Sequence, residues 1–152
     1  MKLVIKNLAE LSKLAEELIS LLRPTQSGAT VLGLYGELGS GKTTFTQVLA
    51  SAFGIKEKVA SPTFVLEKRY SLPAASPFRW LIHIDCYRLD QPDEVLPRHW
   101  QELIADPANL IVVEWADRIA SLLPPAHFKL YFRHLDETRR ELELKFGWPK
   151  KK

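Results

Sequence analysis

Eight residues in the first third of the chain have the types and the spacing of a phosphate-binding loop. They are Gly36-Glu37-Leu38-Gly39-Ser40-Gly41-Lys42-Thr43, which fit the pattern Gly-x-x-x-x-Gly-Lys-Thr. In such a loop the backbone N–H groups surround phosphate oxygens, the lysine reaches the β- and γ-phosphates and the threonine hydroxyl binds magnesium. The pattern predicts a nucleotide site, with Lys42 also acting in catalysis. The predicted nucleotide contacts within the loop are Gly36, Leu38, Gly39, Ser40, Gly41, Lys42 and Thr43.

The segments on either side of the loop have the properties that such a loop requires. Residues 29–35 form a continuous apolar run, as in a strand buried on both faces. Residues 44–53 predict a helix that ends at Gly54, and the positive end of its dipole favours an anion. A strand before the loop and a helix after it disfavour the alternative, a chance glycine turn with an exposed lysine.

Two acids, Asp85 and Glu114, end the apolar runs 79–85 and 109–114. Ligands of open α/β sheets bind at the carboxyl ends of strands, so both acids are expected near the loop. Glu114 follows the unbroken run and is predicted to hold magnesium, directly or through water. Asp85 is predicted to position or deprotonate the attacking water, and is a second candidate ligand of the metal. The alternative for either acid is the capping of a turn.

Three further side chains lie next to these motifs. His83 interrupts the run before Asp85 and is interpreted as a hydrogen-bonded sheet histidine rather than a catalytic one. Ser61-Pro62-Thr63 lies where nucleotide switches contact the γ-phosphate, so Thr63 is a candidate nucleotide contact, with an ordinary turn as the alternative. Trp115 is likewise a candidate nucleotide contact, with packing as the alternative.

The rest of the chain predicts the fold. Strands alternate with helices, and the segments 128–132 and 140–146 alternate apolar and polar residues as in a hairpin. We therefore expect a three-layer α/β fold of the P-loop NTPase type, with a mixed, mostly parallel sheet and a C-terminal antiparallel hairpin. The other predicted strands are 3–5, 63–72, 79–85 and 109–114, and the other predicted helices are 8–22, 92–105 and 119–123.

Length and composition predict one domain, residues 1–148, followed by a basic tail at 149–152. The three lysines at 150–152 account for the whole net charge of +3, so the pI of 9.0 does not indicate a basic binding face. The single cysteine, Cys86, allows no intrachain disulfide. No apolar run is long enough to cross a membrane, and the N-terminus lacks the apolar core of a signal peptide. These features predict a cytoplasmic location.

Taken together, these segments resemble the TsaE (formerly YjeE) family of bacterial ATPases in tRNA threonylcarbamoyladenosine synthesis. The Ser-Pro-Thr, His-x-Asp-x-Tyr-Arg and Glu-Trp segments are more specific than the phosphate loop, which many families share. The likeness covers nearly the whole chain. The matching segments are 36–45, 61–64, 83–89 and 113–115.

The resemblance implies an ATPase, with ATP and Mg²⁺ as cofactors, that works with two protein partners, TsaB and TsaD. It implies that ATP hydrolysis resets their complex between turnovers and that tRNA is met only through that complex. Thr43 and Glu114 resemble the family's magnesium pair, and Asp85 resembles a catalytic acid. The base is expected near the start of the N-terminal helix, around Leu8, and Arg139 or Arg140 of the hairpin is expected near the nucleotide.

Two other functions remain open on the sequence. A small-molecule kinase of the P-loop class would carry an arginine-rich lid, whereas Arg139-Arg140 lies in a predicted strand. A nucleotide-binding switch, in which hydrolysis is incidental, would need the same loop. The Asn-Lys-x-Asp signature of GTPases is absent from the sequence, which favours ATP over GTP.

Overall fold

A computed structural model of the chain describes residues 1–59, 67–87 and 99–146. Thr63, the first part of the predicted strand 63–72, the first half of the predicted helix 92–105 and the tail 149–152 lie outside these residues. The described elements are β1 (Lys2–Ile5), α1 (Leu8–Leu21), β2 (Thr30–Gly36), α2 (Lys42–Ala52), β3 (Glu67–Ser71), β4 (Trp80–Asp85), α3 (Trp100–Ala105), β5 (Asn109–Glu114), a 3₁₀ segment (Ala116–Leu122), β6 (Phe128–His134) and β7 (Arg140–Phe146).

The strands form one sheet in the order β1-β7-β6-β2-β5-β4-β3. Its four central strands, β6, β2, β5 and β4, run parallel to one another. The outer pairs β1–β7, β7–β6 and β4–β3 are antiparallel. The predicted mixed sheet is therefore confirmed, with its parallel pairs in the centre and antiparallel pairs at the edges, and so is the C-terminal hairpin.

Apolar side chains on the two faces of the sheet form two separate cores. One core joins the sheet to α1 and α2, and includes Leu34 of β2 and Val112 of β5. The other joins it to α3 and the 3₁₀ segment, and includes Val113 of β5. Residues adjacent in a strand point to opposite faces, so a buried strand supplies both cores and its sequence is apolar throughout. The three-layer arrangement predicted from the sequence is confirmed.

The start of α1 is held by reciprocal side-chain to backbone hydrogen bonds. The Asn7 side chain accepts the Glu10 N–H at 2.9 Å, which is one of the two bonds of a capping box. In a capping box the Glu10 carboxylate would accept the Asn7 N–H, but here it reaches one residue further back and accepts the Lys6 N–H at 2.7 Å. These bonds fix where the helix leaves β1, and they leave Leu8, its first residue, 60% exposed.

Two helical segments begin earlier than the sequence predicts. α2 begins at Lys42, two residues before the expected start, and Gly41 is its N-terminal cap residue. The 3₁₀ segment begins at Ala116, three residues before the expected start. The first shift matters for the site, since it places both Lys42 and Thr43 in the first turn of α2.

No helix in the three described ranges is long and apolar enough to cross a membrane.

Candidate nucleotide-binding site

The Lys42 side chain folds back across the loop that precedes it. Its ammonium donates to the carbonyl oxygens of Gly36 at 2.6 Å and Glu37 at 2.8 Å. The residue is almost fully buried. Burial lowers the pKa of Lys42, and the Glu114 and Asp85 carboxylates oppose that shift. The predicted phosphate-contacting cation is thus at the centre of the loop and within the field of both strand-end acids.

The Thr43 hydroxyl is bound to the carboxylate that ends β5. Thr43 Oγ1 donates to Glu114 Oε1 at 2.7 Å. Glu114 pairs with Leu34 across the parallel β2–β5 ladder, two residues before the loop begins, and it is only 2% exposed. A hydroxyl and a carboxylate are hard oxygen ligands of the kind that magnesium takes. The predicted magnesium pair, Thr43 and Glu114, is therefore brought together, and its chemistry suits that ion.

Asp85 lies beside Glu114 on the neighbouring strand, where the two residues are direct partners in the β4–β5 ladder. They therefore face the same side of the sheet, as the sequence predicted. Asp85 Oδ1 also accepts the Tyr87 N–H at 3.0 Å, so the residue does cap a turn.

Cys86, which lies between Asp85 and Tyr87 in sequence, is buried, and burial raises the pKa of its thiol to about 12. The thiol thus stays protonated and is not a nucleophile.

His83 is bonded to the second oxygen of the same carboxylate. The distance from His83 Nε2 to Glu114 Oε2 is 2.5 Å, and both side chains are almost completely buried. The sequence interpretation of a satisfied sheet histidine is half right, because Nδ1 has no hydrogen-bond partner within the described residues. The interpretation missed the contact with Glu114. The available sign was a polar residue within an apolar strand, two positions before Asp85 and so on the same face.

Trp115 covers the ammonium of Lys42 rather than serving only as packing. The distance from Lys42 Nζ to the ring centroid is 4.2 Å, a cation–π contact. The Trp115 backbone is left-handed, with φ of 57°, the only such non-glycine residue that the structure describes. This unusual turn directly after Glu114 brings the ring over the loop.

A cavity of about 270 Å³ lies between the loop, the start of α1 and the β6–β7 hairpin. Leu8 at the start of α1 and Arg140 at the start of β7 both line it, together with Ser40 and Gly41 of the loop. These are the residues that the family resemblance implied for the base and the nucleotide. Its other walls are Ile5, Asn7, Leu11, Thr44, Phe132, Glu137, Thr138 and Leu142.

The structure separates the two arginines between which the sequence left a choice. Arg139 forms an ion pair with Asp136 at 2.6 Å within the β6–β7 turn, and its side chain is about half exposed. Hydrogen bonding to Arg139 and to the backbone holds the pKa of Asp136 well below its usual range. Arg140 instead lines the cavity, where Nη1 donates to the Asp136 carbonyl at 2.8 Å. Arg140 is the arginine that faces the candidate base site.

Known proteins match this chain over a range that includes every site residue described above. The family model described as threonylcarbamoyl adenosine biosynthesis protein TsaE matches residues 5–142. The tRNA threonylcarbamoyladenosine biosynthesis protein TsaE of Aquifex aeolicus is 37% identical over 134 residues, covering 87% of this chain and 86% of that protein. The protein of the same name from Rickettsia felis is 34% identical over 139 residues, covering 91% and 75%. A crystal structure of Bacillus subtilis YdiB matches with a TM-score of 0.75 at 26% identity, covering 97% of this chain and 86% of that chain.

Two glycines of the loop should differ in their tolerance of alanine. At Gly36, with φ of 150°, an added Cβ would lie 2.6 Å from the Phe132 carbonyl oxygen. At Gly39, with φ of 77°, an added Cβ would meet nothing within 4 Å. We expect Gly39→Ala to lower the free energy of unfolding by about 1 kcal/mol, from backbone strain alone. Gly36→Ala should lower it by about 2–3 kcal/mol, because a backbone clash is added. Urea unfolding without nucleotide measures both, and equal losses would contradict the loop geometry.

Proposed function

This chain belongs to the TsaE family of tRNA threonylcarbamoyladenosine biosynthesis proteins, and from that premise we propose that it is a magnesium-dependent ATPase of that pathway. The observation that supports the proposal most directly is the meeting of Lys42, Thr43 and Glu114 at the first turn of α2. Lys42 and Thr43 begin α2 and Glu114 ends β5, and hydrogen bonds join Lys42 to the loop and Thr43 to Glu114.

In the proposed site the loop and the first turn of α2 bind the phosphates of ATP. The first N–H groups of a helix have no partner within the helix, and the helix dipole adds positive potential there. Lys42 supplies the compact positive charge, and its lowered pKa reflects a burial that phosphate oxygens would offset. Thr43 and Glu114 would hold Mg²⁺, directly or through water. When bound, the ion neutralises charge on the β- and γ-phosphates.

We propose that Asp85 orients and deprotonates the attacking water. It is the partner of Glu114 across the β4–β5 ladder, so its carboxylate lies on the same face of the sheet as that of Glu114. A carboxylate held there by the strand is positioned to accept a proton as the oxygen attacks. The Trp115 ring lies over the ammonium of Lys42, 4.2 Å from Nζ to the ring centroid. Thr63 is proposed as a nucleotide contact from its position in the sequence alone.

The base of ATP is proposed to occupy the cavity between α1 and the β6–β7 hairpin. Leu8 and Leu11 give it an apolar side and Arg140 a cationic one. An arginine guanidinium stacks well on a flat aromatic ring. The cavity adjoins Ser40 and Gly41, so a single nucleotide can span it and the loop.

Following the family resemblance, we propose that hydrolysis resets a complex of TsaB and TsaD between rounds of tRNA modification. The protein would act in the cytoplasm as a single domain, residues 1–148, and would meet tRNA only through that complex. The family assignment supports this role. Since the partners are part of the cycle, we expect slow turnover by the isolated protein.

Two substitutions should separate phosphate binding from magnesium binding. We expect Lys42→Ala to weaken ADP binding about 10- to 100-fold with or without Mg²⁺, because it removes charge-assisted bonds to phosphate. Glu114→Gln keeps the shape of the side chain but loses its charge. It should reduce the extra affinity that Mg²⁺ gives by about tenfold, and leave binding in EDTA nearly unchanged. Isothermal titration calorimetry measures both, and unchanged affinities would refute the site.

Asp85→Asn should keep nucleotide affinity and lose hydrolysis. We expect ATP turnover in the presence of TsaB and TsaD to fall about 100-fold, since a positioned base typically contributes that much. Phosphate release and tRNA modification should be measured in parallel. If modification persists without hydrolysis, the protein is a nucleotide switch rather than an ATPase. Label transferred from ATP to a small metabolite, and not to water, would indicate a kinase.

The base site can be tested with two arginines of the same hairpin. Arg140 lines the cavity, whereas Arg133 is exposed on β6 and does not. Arg140→Ala should weaken ADP binding about fivefold, the scale of one cation–π contact, and should leave binding of inorganic pyrophosphate unchanged. Arg133→Ala should change neither. Equal effects of the two variants would show that the cavity does not hold the base.

A further inference from the structure

His83 occupies a position where an apolar residue would satisfy the packing. It lies within β4 between Ile82 and Ile84 and is completely buried. Its face of the sheet is the one that packs against α1 and α2, since its partner across the β4–β5 ladder is Val112. Burying an imidazole there costs free energy unless it is hydrogen-bonded. The contact with Glu114, at 2.5 Å, is the hydrogen bond that the structure shows for it.

The two oxygens of Glu114 are divided between two partners on different elements. Oε1 accepts from Thr43 in α2, and Oε2 lies against His83 Nε2 in β4. A glutamate side chain has three rotatable bonds. A single hydrogen bond to one carboxylate oxygen would therefore leave the carboxylate free to rotate about that bond. Two contacts on opposite oxygens fix both the direction of the side chain and the plane of its carboxylate. The orientation toward Thr43 thus depends on the contact to His83.

The other ring nitrogen indicates which tautomer is present. His83 Nδ1 is buried and has no hydrogen-bond partner among residues 1–59, 67–87 and 99–146. A hydrogen on Nδ1 would be a buried donor without an acceptor, which folded proteins rarely contain. With the hydrogen on Nε2, the ring donates to Glu114 and leaves only a lone pair unmatched. The structure therefore fits a histidine that donates to the carboxylate.

We propose that His83 is a positioning residue, which holds the Glu114 carboxylate in the orientation that binds magnesium beside Thr43. The proposal rests on the proposed function, since it concerns the same metal. It adds a role for a side chain outside the proposed set of nucleotide and metal ligands. Groups that orient a metal ligand in this way commonly change metal affinity about 10- to 100-fold when removed.

The test compares a variant that removes the donor with one that restores it. His83→Leu fills similar space without a donor, and His83→Gln offers an amide N–H at about the depth of Nε2. For each, calorimetry gives the ADP affinity with Mg²⁺ and with EDTA. We expect His83→Leu to reduce the increase in ADP affinity that Mg²⁺ gives about tenfold. Its ADP affinity in EDTA should stay within about twofold of that of the unmutated protein. His83→Gln should recover most of the gain, because it donates to Glu114 again.

A matched control distinguishes positioning from a general loss of stability. Thr30 is also buried and hydrogen-bonded, to the Arg23 carbonyl at 2.9 Å, but it begins β2 at the end away from the loop. Thr30→Val should lower the melting temperature and leave the gain from Mg²⁺ unchanged. If His83→Leu behaves like Thr30→Val, His83 is only structural and the proposal is overturned.

A measurement on the unmutated protein guards against variants that do not fold. In the absence of nucleotide and metal, ¹⁵N NMR of the histidine rings should show His83 with its hydrogen on Nε2. That hydrogen should exchange slowly with solvent, since the ring is buried. A hydrogen on Nδ1 instead would overturn the proposal, because Nε2 could not then donate to Glu114.

The outcomes also separate this inference from the function on which it rests. If the unmutated protein gains no ADP affinity from Mg²⁺, the proposed function fails. If it gains affinity and His83→Leu gains as much, only the role of His83 fails.

Discussion

A carboxylate buried at the end of a central strand must be surrounded by donors, because leaving it unpaired away from water is costly. Glu114 meets this requirement through Thr43 and His83, and the ammonium of Lys42 lies in the same field. Thr43 and Lys42 belong to the first turn of α2, and His83 belongs to the neighbouring strand β4. Pairing this one carboxylate therefore ties α2 and β4 to the end of β5. Lys42 also bonds to carbonyl oxygens of the loop, which links the loop to the same site.

The parallel register of β2, β5 and β4 determines what meets at this edge of the sheet. Strands that run the same way end on the same side, so the loop after β2 lies beside the acids that end β5 and β4. The antiparallel strands serve a different purpose. β6 and β7 continue the sheet beyond the loop and turn back at Asp136, and this turn places Arg140 opposite the start of α1. The loop with its two acids and the candidate base cavity thus belong to two structurally distinct halves of the sheet.

Local patterns predicted much of this arrangement. The glycine loop, the apolar strands and the strand-end acids each depend on a few adjacent residues, so the fold class and the meeting of Thr43 with Glu114 followed from the sequence. Contacts that depend on the exact strand register or turn geometry did not. The link between His83 and Glu114, and the selection of Arg140 over Arg139, depend on register and on how a turn closes. The left-handed backbone at Trp115 likewise has no local sequence signature, because non-glycine residues adopt it only where the surrounding structure imposes it.

The pairing of β1 with β7 joins the two ends of the described chain, with Lys2 opposite Glu143. Both walls of the candidate base cavity depend on that pairing, since α1 follows β1 and Arg140 begins β7. These two strands lie at opposite ends of the described residues. A fragment that lacks either β1 or β7 would therefore lack the support of one wall of that cavity.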